Sequence, residues 1–183
     1  MLDCQLALLE NAVMRYQVSG TAPGPLGARH PSITPFEAYK TKDGYIIISA
    51  GNDGLFAKLA EALENPGWAE NPDYSSNDNR NKHVEKLKIE MESVLTAHTT
   101  SHWIEVLDKF GVPSGPINDI GQAATHPQTI ARNMIVSVDD PITGPMKVAG
   151  NPVKISGFED PETRDPAPNL DQNREEILRE LSD

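Results

Sequence analysis

Apolar side chains recur every three or four positions over residues 1–18, and this spacing predicts a helix. The apolar positions fall into two stripes: Leu2, Leu6, Leu9 and Val13 form one, and Cys4, Leu8, Ala12 and Tyr16 form the other. A helix at the surface of a globular domain normally has a single apolar face. The two stripes predict a helix that is covered on both sides, so we expect self-association or another partner.

A β-hairpin and a set of helices are predicted for residues 36–133. Strands at 36–39 and 45–49 flank a Lys-Asp-Gly turn, and the second strand is an apolar run suited to the core. Apolar spacing together with start and stop signals predicts helices at 54–64, 81–97, 101–110, 119–125 and 127–132. Polar residues 68–81 are expected to be irregular, and residues 114–116 to form a turn.

A second hairpin and a final helix are predicted for the C-terminal part of the chain. Short strands at 134–138 and 146–148 form the hairpin, and residues 151–156 are a candidate third strand. An acidic, proline-rich stretch precedes a helix at 169–181. The apolar residues that we expect this helix to direct inward are Ile177, Leu178 and Leu181.

The order of these elements favours the α+β class. Strands do not alternate with helices as a parallel sheet requires. Residues 19–35 are rich in Gly and Pro and are interpreted as a shaped linker. We therefore expect a helix at 1–18, a linker at 19–35, a small α+β domain at 36–133, and a segment at 134–183 with a hairpin and a C-terminal helix.

Composition narrows the range of partners. The formal net charge is −11, which argues against nucleic acid, since a nucleic-acid-binding face needs clustered Lys and Arg. The first 42 residues hold four Lys or Arg against three Asp or Glu, so an anionic ligand is more plausible there than in the acidic remainder. A single cysteine, Cys4, allows no internal disulfide. No stretch approaches the ~18 apolar residues of a membrane span. We expect a cytoplasmic protein without a membrane segment.

Common catalytic and cofactor motifs are absent from the sequence. There is no dinucleotide-binding glycine fingerprint, no P-loop and no nucleophile elbow. No Cys/His set has the spacing of metal ligands, so we predict no metal site. His98 and His102 are four residues apart, but a coil and a cap cluster separate them, and both are interpreted as surface residues.

Two short segments can support binding chemistry. Residues 27–32 read Gly-Ala-Arg-His-Pro-Ser: Gly27 allows a close backbone approach, Arg29 offers a fork of donors, and His30 can donate or accept. The alternative is a shaped linker with solvated side chains. Residues 49–54 place Asn52 and Asp53 at the start of a helix, where an anion is favoured. The alternative there is an ordinary helix N-cap.

Several longer runs, taken in order, resemble the family III CoA-transferases. Residues 27–53 carry the most extensive similarity, with Arg-His-Pro-Ser and Gly-Asn-Asp closest in type to succinyl-CoA:glutarate CoA-transferases. The further matching runs lie at residues 1–7, 110–119, 126–134 and 141–152. One departure occurs at residues 170–174, which read Leu-Asp-Gln-Asn-Arg where the family usually has Leu-Gly-Glu-His-Thr.

The resemblance implies covalent catalysis by an aspartate that lies outside this chain. In the family, this aspartate attacks an acyl-CoA thioester and the acyl-enzyme passes through an anhydride and an enzyme thioester. That residue belongs to a Rossmann-like N-terminal half, which we expect to be absent here; Asp3 and Asp53 do not match it. Residues 1–18 would belong to the large domain, and residues 134–183 would return to it. The substrates would be an acyl-CoA and a carboxylic acid, with no further cofactor.

The resemblance also implies supporting rather than catalytic roles within this chain. The residues expected to shape the acyl or acceptor pocket are Gly27, Arg29, His30 and Asn52. Three hypotheses remain open: a truncated transferase that is inactive alone, one subunit of a split enzyme, and a non-catalytic binding or scaffold module. In each case we expect a homodimer or association with an N-terminal half.

Overall fold

The computed structural model describes residues 1–182, which form two compact units. The first unit spans Met1–Ile117, and the second begins at Asn118. Helices and small sheets are mixed along both units, and the predicted α+β class is confirmed. In the described part of the chain, no helix is long and apolar enough to cross a membrane.

The N-terminal segment is helical but is not covered by the rest of the first unit. Helix α1 spans Leu2–Leu8 and helix α2 spans Glu10–Ser19, with a break at Leu9 where φ is −94° and ψ is 17°. Neither helix has a buried residue. The predicted burial of both apolar stripes therefore does not occur within residues 1–182, because nothing described in this chain packs over them.

The first unit contains one three-stranded antiparallel sheet. Strands β1 (Phe36–Lys40) and β2 (Tyr45–Ser49) form the predicted hairpin, with Phe36 opposite Ser49. Strand β3 (Ser114–Pro116) adds to the other edge of β2. The prediction of a turn at 114–116 was wrong: this Ser-Gly-Pro segment has no strand propensity of its own and is extended because it pairs with β2.

Five helices lie between β2 and β3 in the chain and flank this sheet. They are α3 (Asp53–Ala62), α4 (Gly67–Glu70), α5 (Asn77–Lys82), α6 (Val84–Leu95) and α7 (Thr100–Lys109). The single helix predicted at 81–97 is two helices, because His83 leaves helical geometry with φ −112° and ψ 25°. The segment at 68–81, predicted to be irregular, contains most of α4 and most of α5.

The core of the first unit lies between the hairpin and these helices. We predicted that Ile46, Ile47 and Ile48 of β2 lie in the core; Ile46 and Ile48 are fully buried, whereas Ile47 is half-buried. The two buried residues pack in one cluster with these side chains: Tyr39, Phe56, Leu59, Leu63, Tyr74, Leu87, Met91, Leu95, Trp103, Leu107 and Val112. The indole N–H of Trp103 donates to the Leu95 carbonyl at 2.7 Å, so the one polar atom of this ring is satisfied inside the core.

The second unit begins with two short helices, α8 (Ile120–Thr125) and α9 (Pro127–Ala131). A capping box between Asp119 and Gln122 starts α8. The Thr129 hydroxyl donates to the Ala123 carbonyl at 2.7 Å, and the Met134 N–H donates to the Thr129 carbonyl at 3.0 Å. These bonds tie both helices to the segment that starts at Met134.

A small mixed sheet completes the second unit. Strand β4 (Ile135–Asp140) pairs antiparallel with β5 (Gly144–Ala149) and parallel with β6 (Thr163–Arg164). Residues 151–156 are not a strand, contrary to prediction, because β6 occupies the free edge of β4.

The final helix, α10, is shorter than the helix predicted at 169–181. It spans Arg174–Glu180. The three apolar residues predicted to point inward are exposed: Ile177 and Leu178 in this helix, and Leu181 directly after it.

Candidate functional site

The loop at residues 27–33 turns back onto the start of β1. Gly27 has φ +63°, a left-handed conformation that side-chain-bearing residues rarely adopt. The backbone N–H of His30 donates to the Phe36 carbonyl at 2.8 Å. The His30 and Phe36 rings are stacked, with centroids 5.1 Å apart and planes 11° from parallel. These contacts attach a Gly- and Pro-rich loop to the edge of the folded hairpin.

The imidazole of His30 uses one nitrogen inside the loop. Its Nδ1 accepts from the backbone N–H of Ser32 at 3.2 Å and from that of Ile33 at 3.1 Å. Residue His30 is half-buried. The Arg29 side chain beside it takes part in no ion pair within residues 1–182. The loop thus presents a guanidinium and the Nε2 edge of an imidazole.

The second candidate segment begins helix α3. Asn52 has an extended backbone, and its Oδ1 accepts from the Leu55 N–H at 2.9 Å, which is the geometry of an N-cap. The ordinary N-cap role considered for this segment is therefore observed. Asp53 is the first residue of the helix and is paired with Arg80 through its Oδ1, at 2.7 Å from Nη2.

Arg80 joins the two candidate segments from inside the first unit. It is fully buried, and its Nε donates to the Thr34 carbonyl at 2.6 Å. Its Nη1 donates to the Tyr74 carbonyl at 2.8 Å, and its guanidinium carbon lies 4.5 Å from the centre of the Phe56 ring. With the bond to Asp53, all three guanidinium nitrogens have an oxygen partner, as a buried charge requires.

Two asparagines of α5 hold the same loop beside Arg80. Asn77 donates to the Ser32 carbonyl at 2.8 Å and accepts from the Thr34 N–H at 3.1 Å. Asn81 donates to the Ser32 carbonyl at 2.8 Å, and its Oδ1 accepts from the Thr34 hydroxyl at 2.6 Å. The three side chains Asn77, Arg80 and Asn81 have the spacing of one helical face, and this face clamps residues 32–34.

The structure brings the two predicted segments to the same end of the β1–β2 hairpin, and together they form a corner of the first unit. Phe36 pairs with Ser49, and the Ala50 N–H donates to the Pro35 carbonyl at 2.9 Å. Sequence reasoning missed the residues that connect the two segments, which are Asn77, Arg80 and Asn81. Their i, i+3, i+4 spacing after the N-cap residue Ser76 was the available signal, but a search for apolar periodicity does not detect a polar face that packs against a loop.

The neighbouring ionisable groups are structural. Burial raises the pKa of the Tyr39 hydroxyl well above its usual value; Glu37 and Glu92 act in the same direction, and Arg29 acts against them. Tyr39 is therefore a neutral core residue. Glu37, also buried, is paired with Lys88. No group of three or more His, Cys, Asp or Glu side chains suited to a metal ion occurs among residues 1–182. The chemistry of the corner suits the binding of an anion rather than nucleophilic attack.

His98 and His102 lie apart from this corner. Both are exposed, as predicted. Their rings nevertheless stack with centroids 4.2 Å apart, and each meets the Trp103 ring edge-on. They line a cavity of about 360 Å³ that contains a single carboxylate, Glu64.

The second unit contains a cavity of about 930 Å³ lined mainly by residues 151–161. Asp160 bridges Lys154 and Arg164 there, and Asn133 donates to the Asp160 carbonyl at 2.9 Å. Hydrogen bonds to its carboxylate, led by the one from Lys154, lower the pKa of the Asp160 carboxyl. The charged groups in this cavity mostly satisfy each other, so it adds no reactive group.

Comparisons with known proteins agree with the motif resemblance. A family-wide sequence profile described as CoA-transferase family III matches residues 1–174. The acetyl-CoA:oxalate CoA-transferase of Acetobacter aceti is 38% identical over 182 residues, and the human succinyl-CoA:glutarate CoA-transferase is 32% identical over 181 residues. A crystal structure of a CAIB/BAIF family protein from Brucella suis superposes with a TM-score of 0.74 at 32% identity over 98% of this chain.

The chain spans less than half the length of each of these relatives. It covers 46% of the Acetobacter protein, 41% of the human protein and 46% of the Brucella chain. The match nevertheless extends over nearly every residue here, including the loop at residues 27–33 and the α5 residues Asn77, Arg80 and Asn81 that hold it. The chain therefore belongs to CoA-transferase family III.

Proposed function

We propose that this chain supplies the small domain and its flanking segments to a CoA-transferase that moves CoA between an acyl-CoA thioester and a carboxylic acid. The family match over residues 1–174 carries this proposal. In the reaction, an aspartate carboxylate attacks the thioester carbonyl carbon, the C–S bond breaks, and CoA leaves as the thiolate. We place this aspartate outside the chain.

The environments of the two aspartates weighed for this role support that placement. Asp53 is tied to a buried guanidinium at 2.7 Å, which holds its carboxylate in an ion pair. Asp3 lies in the first turn of the exposed helix α1. Neither matches the family's nucleophile, so this chain is inactive alone in the proposed scheme.

The corner formed by residues 27–33 and 49–54 is the proposed acyl or acceptor pocket. Arg29 and His30 provide a positive charge and a hydrogen-bonding nitrogen for a carboxylate. Gly27 allows the backbone to approach a ligand closely, and Asn52 keeps its amide nitrogen available while its oxygen caps α3. The relatives from Acetobacter and human are named for oxalate and glutarate, and we infer a dicarboxylate substrate here.

The proposed partner is a second copy or an N-terminal half that covers α1 and α2. Their apolar side chains are exposed, for example Leu2 at 78% and Leu8 at 77%. A cytoplasmic location is part of the same proposal, since the single cysteine, Cys4, fits a reducing compartment.

Reconstitution tests the proposal. This chain is assayed alone and after co-expression with the part of the Acetobacter relative that precedes the matched region, using acetyl-CoA or succinyl-CoA and oxalate or glutarate. We expect CoA transfer from the pair and none from either piece. Transfer by this chain alone would contradict the placement of the aspartate. A pair that neither associates nor transfers CoA would count against the enzyme role and favour a binding or scaffold module.

A further inference from the structure

The ring of His30 is held in one orientation and one tautomer. Two backbone N–H groups, those of Ser32 and Ile33, point at Nδ1, at 3.2 Å and 3.1 Å. A nitrogen that accepts hydrogen bonds carries no proton, so the neutral ring has its hydrogen on Nε2. The stacked Phe36 ring keeps the plane of the imidazole fixed.

The two N–H groups are themselves held by helix α5. The Ser32 carbonyl accepts from both Asn77 and Asn81, and Thr34 is bonded to the same two amides. The residues of the turn over Nδ1 therefore cannot rotate without breaking four hydrogen bonds. The Arg80 bond to the Thr34 carbonyl adds a fifth bond from the buried side.

We propose that His30 is a specificity-determining residue that donates Nε2–H to a carboxylate oxygen of the acid substrate, and that Asn77 and Asn81 are positioning residues that hold this tautomer. This inference rests on the proposed function. Arg29, adjacent in the chain, supplies the complementary positive charge. The pairing of one neutral directional donor with one charge favours a carboxylate over a neutral acyl group, because a carboxylate accepts bonds on both oxygens.

The tautomer can be measured on this chain without any activity. Nitrogen NMR of the ¹⁵N-histidine-labelled chain at neutral pH distinguishes a protonated from an unprotonated ring nitrogen, and His30→Asn assigns the His30 signals. We expect one tautomer, with hydrogen on Nε2, in the wild-type chain. We expect a mixture in Asn77→Ala/Asn81→Ala, in which the Ser32 carbonyl has lost both donors.

Asn79→Ala is the matched control. Asn79 lies between the two clamp residues on α5, but its amide donates to the Pro72 carbonyl at 2.9 Å and does not contact the loop. The control should keep the wild-type tautomer. The indole N–H signal of Trp103 reports whether each variant is folded. If the double variant Asn77→Ala/Asn81→Ala is unfolded, the single variant Asn81→Ala is measured in its place. A wild-type mixture, or a clamp variant that keeps the single tautomer, would overturn the inference.

The donor role is tested in the reconstituted enzyme with His30→Asn. An asparagine oxygen can accept from N–H groups two and three residues ahead, as Nδ1 does, but it lacks the Nε2 donor. We expect the KM for the acid to rise by about ten- to a hundredfold, with kcat and the KM for acyl-CoA nearly unchanged. An equal loss for both substrates, or none, would overturn the donor role. An inactive wild-type pair would contradict the proposed function while the NMR result stands.

Discussion

At the scale of single residues, Arg80 stabilises the fold because it donates to two backbone carbonyls inside the first unit. Arg80→Met removes these donors and leaves the Thr34 and Tyr74 carbonyls without the partner they now share. We expect the free energy of unfolding to fall by about 3 kcal/mol in urea denaturation, since each unsatisfied buried group costs about 1–3 kcal/mol.

Substitution of an exposed arginine tests whether the loss of stability in Arg80→Met comes from burial of the side chain or from the loss of a positive charge. Arg174 forms an ion pair with Asp171 at 3.6 Å, and both side chains are more than 60% exposed. Arg174→Met should change stability by less than about 0.5 kcal/mol, because exposed pairs contribute little. Equal effects at the two arginines would show that burial of Arg80 does not determine its role.

Gly27 is a second position where one residue type is required. Its φ of +63° is unfavourable for any residue with a Cβ, although nothing lies within 4 Å of a Cβ built there. Gly27→Ala should therefore destabilise the chain by about 1 kcal/mol through backbone strain alone. Gly24→Ala, in the linker before this loop, with open space and no positive φ, should be neutral or slightly stabilising. Urea denaturation compares the two variants, and a neutral Gly27→Ala would contradict the strain argument.

At the scale of elements, a single carboxylate connects the β1–β2 turn with helix α7. Asp43 accepts from the Thr100 N–H at 2.8 Å and from the Thr100 and Thr41 hydroxyls. These hydrogen bonds, led by the one from the Thr100 N–H, lower the pKa of the Asp43 carboxyl. A carboxyl whose folded pKa is lowered contributes stability above its unfolded pKa of about 3.9, and this stability is lost as the pH falls through the folded value.

Asp43→Asn should therefore be less stable than the wild type at pH 7, and the difference should shrink as the pH falls below about 4. The urea midpoints of both proteins at pH 7, 4 and 3 measure this difference in stability. A difference that stays constant down to pH 3 would show that the charge of Asp43 is irrelevant to the link between turn and helix.

The elements that sequence predicted well are those whose own residues specify them. The hairpin at 36–49 was predicted from the apolar run of its second strand and from the Lys-Asp-Gly turn that joins the two strands. Strand β3 was missed because three residues reading Ser-Gly-Pro become a strand only when β2 offers an open edge. Helix α5 was missed because its buried side chain is an arginine, and apolar periodicity does not detect it.

The residues of the candidate site divide in the same way into those that the sequence indicates and those that only tertiary packing reveals. Arg29, His30 and Asn52 were predicted from their own chemistry and motif. The amide clamp was not, because its contacts join residues that are more than 40 positions apart, such as Ser32 with Asn77. Sequence spacing indicates which residues share a helical face, whereas the segment that this face meets depends on tertiary packing.

At the scale of the whole molecule, a large apolar surface belongs to the N-terminal segment. Helices α1 and α2, with the break between them, expose Leu2, Leu6, Leu8, Leu9, Val13, Met14, Tyr16 and Val18. Apolar surface of this extent on a segment without buried residues marks an interaction site rather than a solvent-facing helix. Because the chain spans less than half of its relatives, the cover proposed for this surface is a second copy or the remaining part of the family fold.

Light scattering of the isolated chain at several concentrations tests whether two copies of this chain associate through that surface. We expect a mass above that of a monomer, and a return to monomer in Leu6→Lys/Val13→Lys, since both side chains lie in one stripe and are 56% and 36% exposed. Gln5→Lys/Gln17→Lys adds the same charge to exposed polar positions of these helices and should keep the wild-type mass. Lysine is a good helix former, so neither pair of changes should unfold the segment. A strictly monomeric wild type would contradict self-association, and equal dissociation by both variants would assign the effect to net charge rather than to the apolar stripe.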